Sequence, residues 1–197
     1  MTITVGKNRV PLRISVYFMG MVALCFALGL AEEISLALFF AALHELGHLG
    51  AMAAFGARPR RVCLAAAGMR IECPPGLNLS FTKEILIAFA GPGVSLALAG
   101  LFVLAHHVFE VPLLHDCALI NLGFALINLM PVRQLDGGRA LYYALCRRLH
   151  EPTADSICFA ASLACLFVIA TVTALICLTQ GMHWPLVVAV IYLAGNC

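Results

Sequence analysis

Apolar residues in this chain gather into runs of membrane length, not into the narrow stripes of a soluble amphipathic helix. Read against the ~20 residues that cross a bilayer as a helix, the runs predict six spans, at residues 14–31, 34–55, 84–108, 113–130, 155–178 and 184–197. The sixth is short for a full crossing, which leaves room for the natural chain to continue. The first ends in Gly29-Leu30-Ala31, a small-x-small pattern that also fits a cleaved signal segment, but its length favours a retained helix. Between the second and third spans the pattern breaks. Val62 to Glu72 alternates partly with period two and is closed by Pro74-Pro75-Gly76, which predicts extended chain or a β-hairpin around Gly68. Irregular backbone at membrane depth must be buried in protein or line a wet cavity, so this hairpin is read as membrane-associated. Gly91-Pro92-Gly93 predicts a kink or break in the third span. A turn-rich stretch from Val132 to Arg139 leads to a short helix over 140–150.

Composition agrees with the pattern. Of 197 residues 62% are hydrophobic and 11% charged, and the mean hydropathy is +0.99, whereas soluble domains run nearer half apolar and a quarter charged. The expected fold class is an all-α integral membrane protein of about six transmembrane helices with the short hairpin between spans two and three. One membrane domain, 1–197, accounts for the whole chain. The nine cysteines show no repeated spacing, and Cys25, Cys117, Cys158, Cys165 and Cys177 read as small hydrophobes; Cys63 and Cys73, ten apart, are a weak metal pair. The net charge of +2 gives no reason to expect a nucleic-acid partner.

Where the charges sit says more. With the N-terminus inside and six spans, all 12 Lys and Arg residues fall in cytoplasmic segments, while Glu32, Glu33, Glu110 and Asp116 fall outside. The positive-inside rule then puts both termini of this multi-pass cell-membrane protein in the cytoplasm.

Within the second span stands His44-Glu45-Leu46-Gly47-His48. Positions i and i+4 share a helix face, so His44 and His48 can offer two imidazoles to one metal ion. Three ionisable groups inside a hydrocarbon-length helix are costly unless paired, metal-bound or wetted, which makes this a candidate functional site. At 1.5 Å per residue the histidines lie roughly 10–17 Å from the cytoplasmic end of their span. A hydrolytic zinc site needs a third protein ligand and an open position for water. Asp136, in a Leu-Asp-Gly-Gly turn after the fourth span, is the candidate; a plain turn residue beside Gly137 is the bland alternative. Zinc so bound lowers the pKa of its water, and Glu45 can take that proton and pass it to a leaving amine. Asn128 in the fourth span is otherwise interhelical glue, and Gly47, Ala51 and Ala54 are packing positions. His106, His107, His115, His150 and His183 sit at span ends or in loops.

Taken together, His44-Glu45-Leu46-Gly47-His48, Ala90-Gly91-Pro92, and Asn128-Leu129-Met130-Pro131 followed by Leu135-Asp136-Gly137-Gly138 resemble the site-2 protease family of intramembrane zinc metalloproteases. The resemblance implies one zinc ion per chain held by His44, His48 and Asp136, with Glu45 as general base and acid. It implies that Asn128 helps hold substrate or the developing oxyanion. The Val62–Glu72 hairpin, Gly68 included, would pair with unwound substrate as an added strand. The implied reaction is regulated intramembrane proteolysis: cleavage of a transmembrane or membrane-tethered protein near the cytoplasmic face. The compact layout is similar to a sporulation branch of the family, which implies a sigma-factor precursor as substrate and leaves room for an inhibitory membrane partner. Leu64-Ala65-Ala66-Ala67-Gly68 departs from the family's Pro-Phe-Gly-Gly-like turn, Gly93-Val94-Ser95 stands where an Asn is common, and a carboxy-terminal CBS domain is lacking.

Two other classes fit parts of this pattern. A transporter or metal-permeation protein would show polar residues leading across the membrane and internal repeats, and neither is seen. A catalytically inactive substrate-binding relative would lose Glu45 or a ligand, and all four residues are present.

Overall fold

The computed structural model describes residues 2–5, 10–14, 29, 31–57, 61–65, 68–72, 79–180 and 190. In chain order the elements are β1 (Thr2–Val5), β2 (Val10–Ile14), α1 (Ala31–Ala54), β3 (Arg61–Ala65), β4 (Gly68–Glu72), α2 (Phe81–Phe109), α3 (Pro112–Asn128), α4 (Asp136–Cys146) and α5 (Glu151–Gln180). Three helical segments are long and apolar enough to cross a membrane: Ile34–Ala54, Phe81–Phe109 and Glu151–Thr179; Pro112–Asn128 is apolar but shorter. The expected spans at 14–31 and 184–197 fall almost wholly outside the described residues, so six spans are not counted among them.

The chain divides into two compact units, Met1–Leu79 with Ala90–Ala125, and Ser80–Phe89 with Leu126–Cys197. In the first, β3 pairs antiparallel with β4, Ala65 opposite Gly68, and β2 runs parallel to β3 with Arg13 opposite Cys63. β1 folds back on β2, so the order is β1-β2-β3-β4 with β1 and β4 outermost. The two amino-terminal strands lie in a stretch the apolar pattern treats only as the lead-in to a span.

Helix α1 ends where its sequence says it should. Gly56 takes φ +73°, its N–H donates to the Ala53 carbonyl at 3.1 Å, and Ala57 N–H donates to the Met52 carbonyl at 2.8 Å. This is a Schellman cap, and glycine is the residue that enters the left-handed region without a Cβ penalty. Gly47 lets α1 and α2 approach: a Cβ there would stand 2.8 Å from the Ala90 carbonyl oxygen and from Val94 Cγ2. Higher up, Phe40 and Phe102 meet edge to face with centroids 5.4 Å apart.

Helix α2 corrects one expectation. It runs unbroken from Phe81 to Phe109 with Pro92 inside it. Proline removes one backbone donor and crowds the preceding turn, yet Pro92 is fully buried in packed surroundings with Gly91 and Gly93 on either side. Packing against neighbours holds the helix through the defect.

In the second unit the chain leaves α3, turns through Leu129–Leu135 and enters α4 directly. Ser162 on α5 anchors the turn: its Oγ accepts the Arg133 N–H at 3.0 Å and donates to the Cys158 carbonyl at 2.8 Å. Arg133 also forms an ion pair with Asp155. The short helix begins at Asp136, earlier than the expected 140–150, because Gly137 and Gly138 are helical and not part of the turn.

Burial is inverted relative to a soluble protein. Ser95, Asn121 and Ser162 are 0% exposed, while Leu104, Phe167 and Leu178 are 67, 74 and 83% exposed. Polar side chains inside and large apolar ones outside are what a lipid solvent selects.

Candidate metal centre

His44 and His48 lie one turn apart on α1, and both are buried. Their rings sit edge to face at 71°, and the two Nε2 atoms are 3.3 Å apart. Two nitrogens on a tetrahedral zinc, each at ~2.05 Å, stand about 3.3 Å from one another. The observed separation is therefore that of neighbouring corners of a zinc tetrahedron.

A partner fixes which nitrogen faces the metal position. His44 Nδ1 is 2.9 Å from Ser95 Oγ, and Ser95 is fully buried on α2. With Nε2 as ligand, Nδ1 carries the proton and donates to the hydroxyl, which sets ring orientation and tautomer. The ring of Phe124 on α3 lies 6.4 Å from that of His44, apolar cover for the same imidazole.

Gly91 makes room for the two imidazoles against α2. A Cβ at that position would lie 2.2 Å from His48 Nε2 and 2.6 Å from His44 Nε2. The missing side chain thus lets both imidazoles pack directly against the backbone of α2. Glycine at 91 is a ligand-cradle residue. The sequence carried its signal in Gly91-Pro92-Gly93-Val94-Ser95, where Gly91 and Ser95 are i and i+4 on one helix face; Ser95 is the functional residue that reading the motifs alone misses.

Asp136 is buried at the first position of α4 and follows Leu135, whose backbone is extended. A carboxylate there is favoured by the helix N-terminus. Its two glycines are required by close packing: a Cβ on Gly137 would lie 2.2 Å from the Leu129 carbonyl oxygen, and one on Gly138 would lie 2.0 Å from that of Val132. The Leu-Asp-Gly-Gly stretch thus works as a helix start pressed on its preceding turn. Two imidazoles and one carboxylate are a donor set that suits zinc.

The other expected site residues have these places. Glu45 is half-buried on α1, one residue from His44; Asn128 is half-buried at the last position of α3; Gly68 opens β4. Cys117, Cys146, Cys158, Cys165 and Cys177 are free thiols. Cys63 lies on β3, and Cys73 lies outside the described residues.

No family model matches the chain. It is 31% identical over 142 residues to Stage IV sporulation protein FB of Bacillus subtilis, covering 64% of this chain and 48% of that protein. It is 30% identical over 114 residues to Zinc metalloprotease MJ0392 of Methanocaldococcus jannaschii, covering 54% of this chain and 32% of that protein. The chain thus spans half or less of the length of these relatives. Its fold is shared with the structure of the site-2 protease from Methanocaldococcus jannaschii, with a TM-score of 0.72 at 20% identity over 98% of this chain and 92% of that one. Apolar helices of spanning length, a buried HExxH helix and these likenesses support an assignment to the site-2 protease family of metalloproteases.

Proposed function

We propose that the chain is an intramembrane zinc endopeptidase that cleaves a membrane-associated protein near the cytoplasmic face. One observation carries the reading: the buried His44 and His48 Nε2 atoms lie 3.3 Å apart within an apolar helix. Asp136 is the third ligand. Bound zinc supplies a Lewis acid that makes water a nucleophile near neutral pH.

The remaining work belongs to the chain. Ser95 holds the His44 ring. Glu45 takes the proton from the attacking water and delivers it to the amine nitrogen as the peptide C–N bond breaks. The Asn128 amide donates a hydrogen bond to the substrate carbonyl oxygen as negative charge grows there. A helical substrate hides its carbonyls in i to i−4 hydrogen bonds, so it must unwind first. β4, beginning at Gly68, is an outer strand of its sheet, and an extended substrate segment can add to such an edge. Both termini lie in the cytoplasm, as the placement of Lys and Arg favours. A sporulation sigma-factor precursor as substrate rests on the family resemblance alone.

Coexpression of a single-span tethered substrate with the wild type and with Glu45→Gln tests the reaction. Loss of a general base costs about 10²–10⁴ in rate, so the product band should vanish with the variant while bound zinc stays at its wild-type level. Equal cleavage by both proteins would sink the proposal.

A further inference from the structure

At the amino-terminal end of α5 the second unit contains a cavity of about 230 Å³ lined by Arg133, Arg139, Tyr142, Tyr143, Asp155 and Cys158. Two guanidinium groups and two phenols around one small space make a donor-rich lining. Arg133 is committed in part: it pairs with Asp155, and its guanidinium stands over the Phe159 ring at 6.0 Å. Arg139 is exposed on α4, and no ion pair to its side chain is recorded among the described residues. The lining therefore carries one net positive charge after Arg133 and Asp155 offset each other.

Depth narrows the ligand. Asp155 and Cys158 belong to the first turns of α5, whose segment Glu151–Thr179 is apolar enough to span. The cavity thus lies beside the amino-terminal end of a helix able to span, the end that approaches the headgroup region. Tyrosine and arginine are the residues that anchor at that level, and basic pockets beside spanning helices take anionic headgroups. Size narrows it further: the volume falls below the ~300 Å³ at which sites for whole drug-sized ligands begin. A phosphate group with little attached fits; a nucleotide base and sugar would remain outside. Tyr142 stays a neutral hydroxyl at all physiological pH, its pKa pushed up to about 12 by a hydrogen bond with Cys146 and by burial, with Glu151 and Asp155 adding to the rise. Glu151 adds a negative charge near the lining, and with only one arginine left unpaired a singly charged phosphodiester is favoured over a doubly charged monoester.

We propose that this cavity is a binding site for a phosphate ester, with Arg139 and Tyr143 as its donors, and that the phosphodiester of an anionic lipid headgroup is its occupant. Planar guanidinium donors match phosphate oxygens two at a time. The site stands on α4 and α5 and is independent of whether the chain cleaves peptides. Because Arg139 is three residues from Asp136 on the same short helix, an occupant would also steady the helix that presents that carboxylate.

Native mass spectrometry of the full chain in detergent, titrated with phosphatidylglycerol, phosphatidylcholine, inorganic phosphate or ATP, tests the proposal. One phosphatidylglycerol should be retained in preference to phosphatidylcholine, and Arg139→Gln should weaken it about tenfold, as expected for loss of a charge-assisted hydrogen-bonded pair worth ~1.4 kcal/mol. Arg148→Gln, an exposed arginine outside the lining, should leave retention unchanged. Tyr143→Phe, which removes one hydroxyl and keeps the ring, should weaken retention several-fold. Retention of inorganic phosphate or ATP that is lost with Arg139→Gln would support the phosphate chemistry and assign a soluble source. Equal retention of both lipids, or retention equally strong with Arg139→Gln and Tyr143→Phe, would overturn the site.

Discussion

Replacing Gly91 by alanine drives a methyl carbon into the two imidazoles expected to hold the metal. The new Cβ would lie 2.2 Å from His48 Nε2, 2.6 Å from His44 Nε2 and 2.7 Å from His48 Cδ2. Carbon rests against such atoms at ~3.5 Å, so one or both rings must retreat by about 1 Å. Helix propensity acts in the opposite direction, since alanine is better than glycine inside a helix by about 1 kcal/mol. Overpacking costs about 1–3 kcal/mol, so the net loss is at most about 2 kcal/mol and the variant should fold. Metal binding has no such compensation. A ring displaced by 1 Å is no longer within zinc–nitrogen bonding distance, and losing that ligand should weaken zinc by at least the ~100-fold upper limit seen when only a ligand's supporting partner is removed. Zinc content by inductively coupled plasma mass spectrometry and affinity by competition with a chelating dye read this directly. Gly93→Ala is the control, because a Cβ there meets nothing within 4 Å. A Gly91→Ala protein that keeps one zinc per chain at parental affinity would refute the cradle.

Three further outcomes follow from the same geometry. Ser95→Ala removes the partner of His44 Nδ1 and should weaken zinc about 10–100-fold, with Ser95→Thr restoring part of the loss in the same dye competition. Asp136→Asn should lower the zinc content of the purified protein, and unchanged stoichiometry would remove Asp136 as a ligand. Gly138→Ala drives a Cβ to 2.0 Å from the Val132 carbonyl oxygen; an overpacking cost of about 3 kcal/mol should lower the melting temperature by roughly 6–12 °C for a chain of this size, measurable by fluorescence in detergent.

The helices were legible because each rests on a local pattern. Apolar runs at 34–55, 84–108, 113–130 and 155–178 overlap α1, α2, α3 and α5 closely, and Gly56 marks the end of α1 as its cap. Local rules failed where packing decides. Gly91-Pro92-Gly93 reads as a helix breaker, but the space Gly91 leaves against two imidazoles and the burial of Pro92 are properties of the neighbouring helix. Gly137 and Gly138 read as turn residues for the same reason: what demands them is the backbone of Leu129 and Val132 pressed against the first turn of α4. β1 and β2 were hidden because β2 finds its partner in β3, about fifty residues away, and no window around Val10–Ile14 contains that pairing. The histidine pair and Glu45 were plain from spacing alone, whereas Ser95 becomes visible only when His44 needs a partner for its second nitrogen.

The parallel pairing of β2 with β3 also bears on how the chain threads the membrane. Arg13 and Cys63 stand opposite each other in one sheet, so the chain sets out from and returns to a single level of the bilayer. Between those two points α1 alone, with 24 residues, climbs about 36 Å at 1.5 Å per residue. An accessibility reporter fused before β1 and a cysteine probe placed beyond β4 should report the same side of the membrane, whichever side that is.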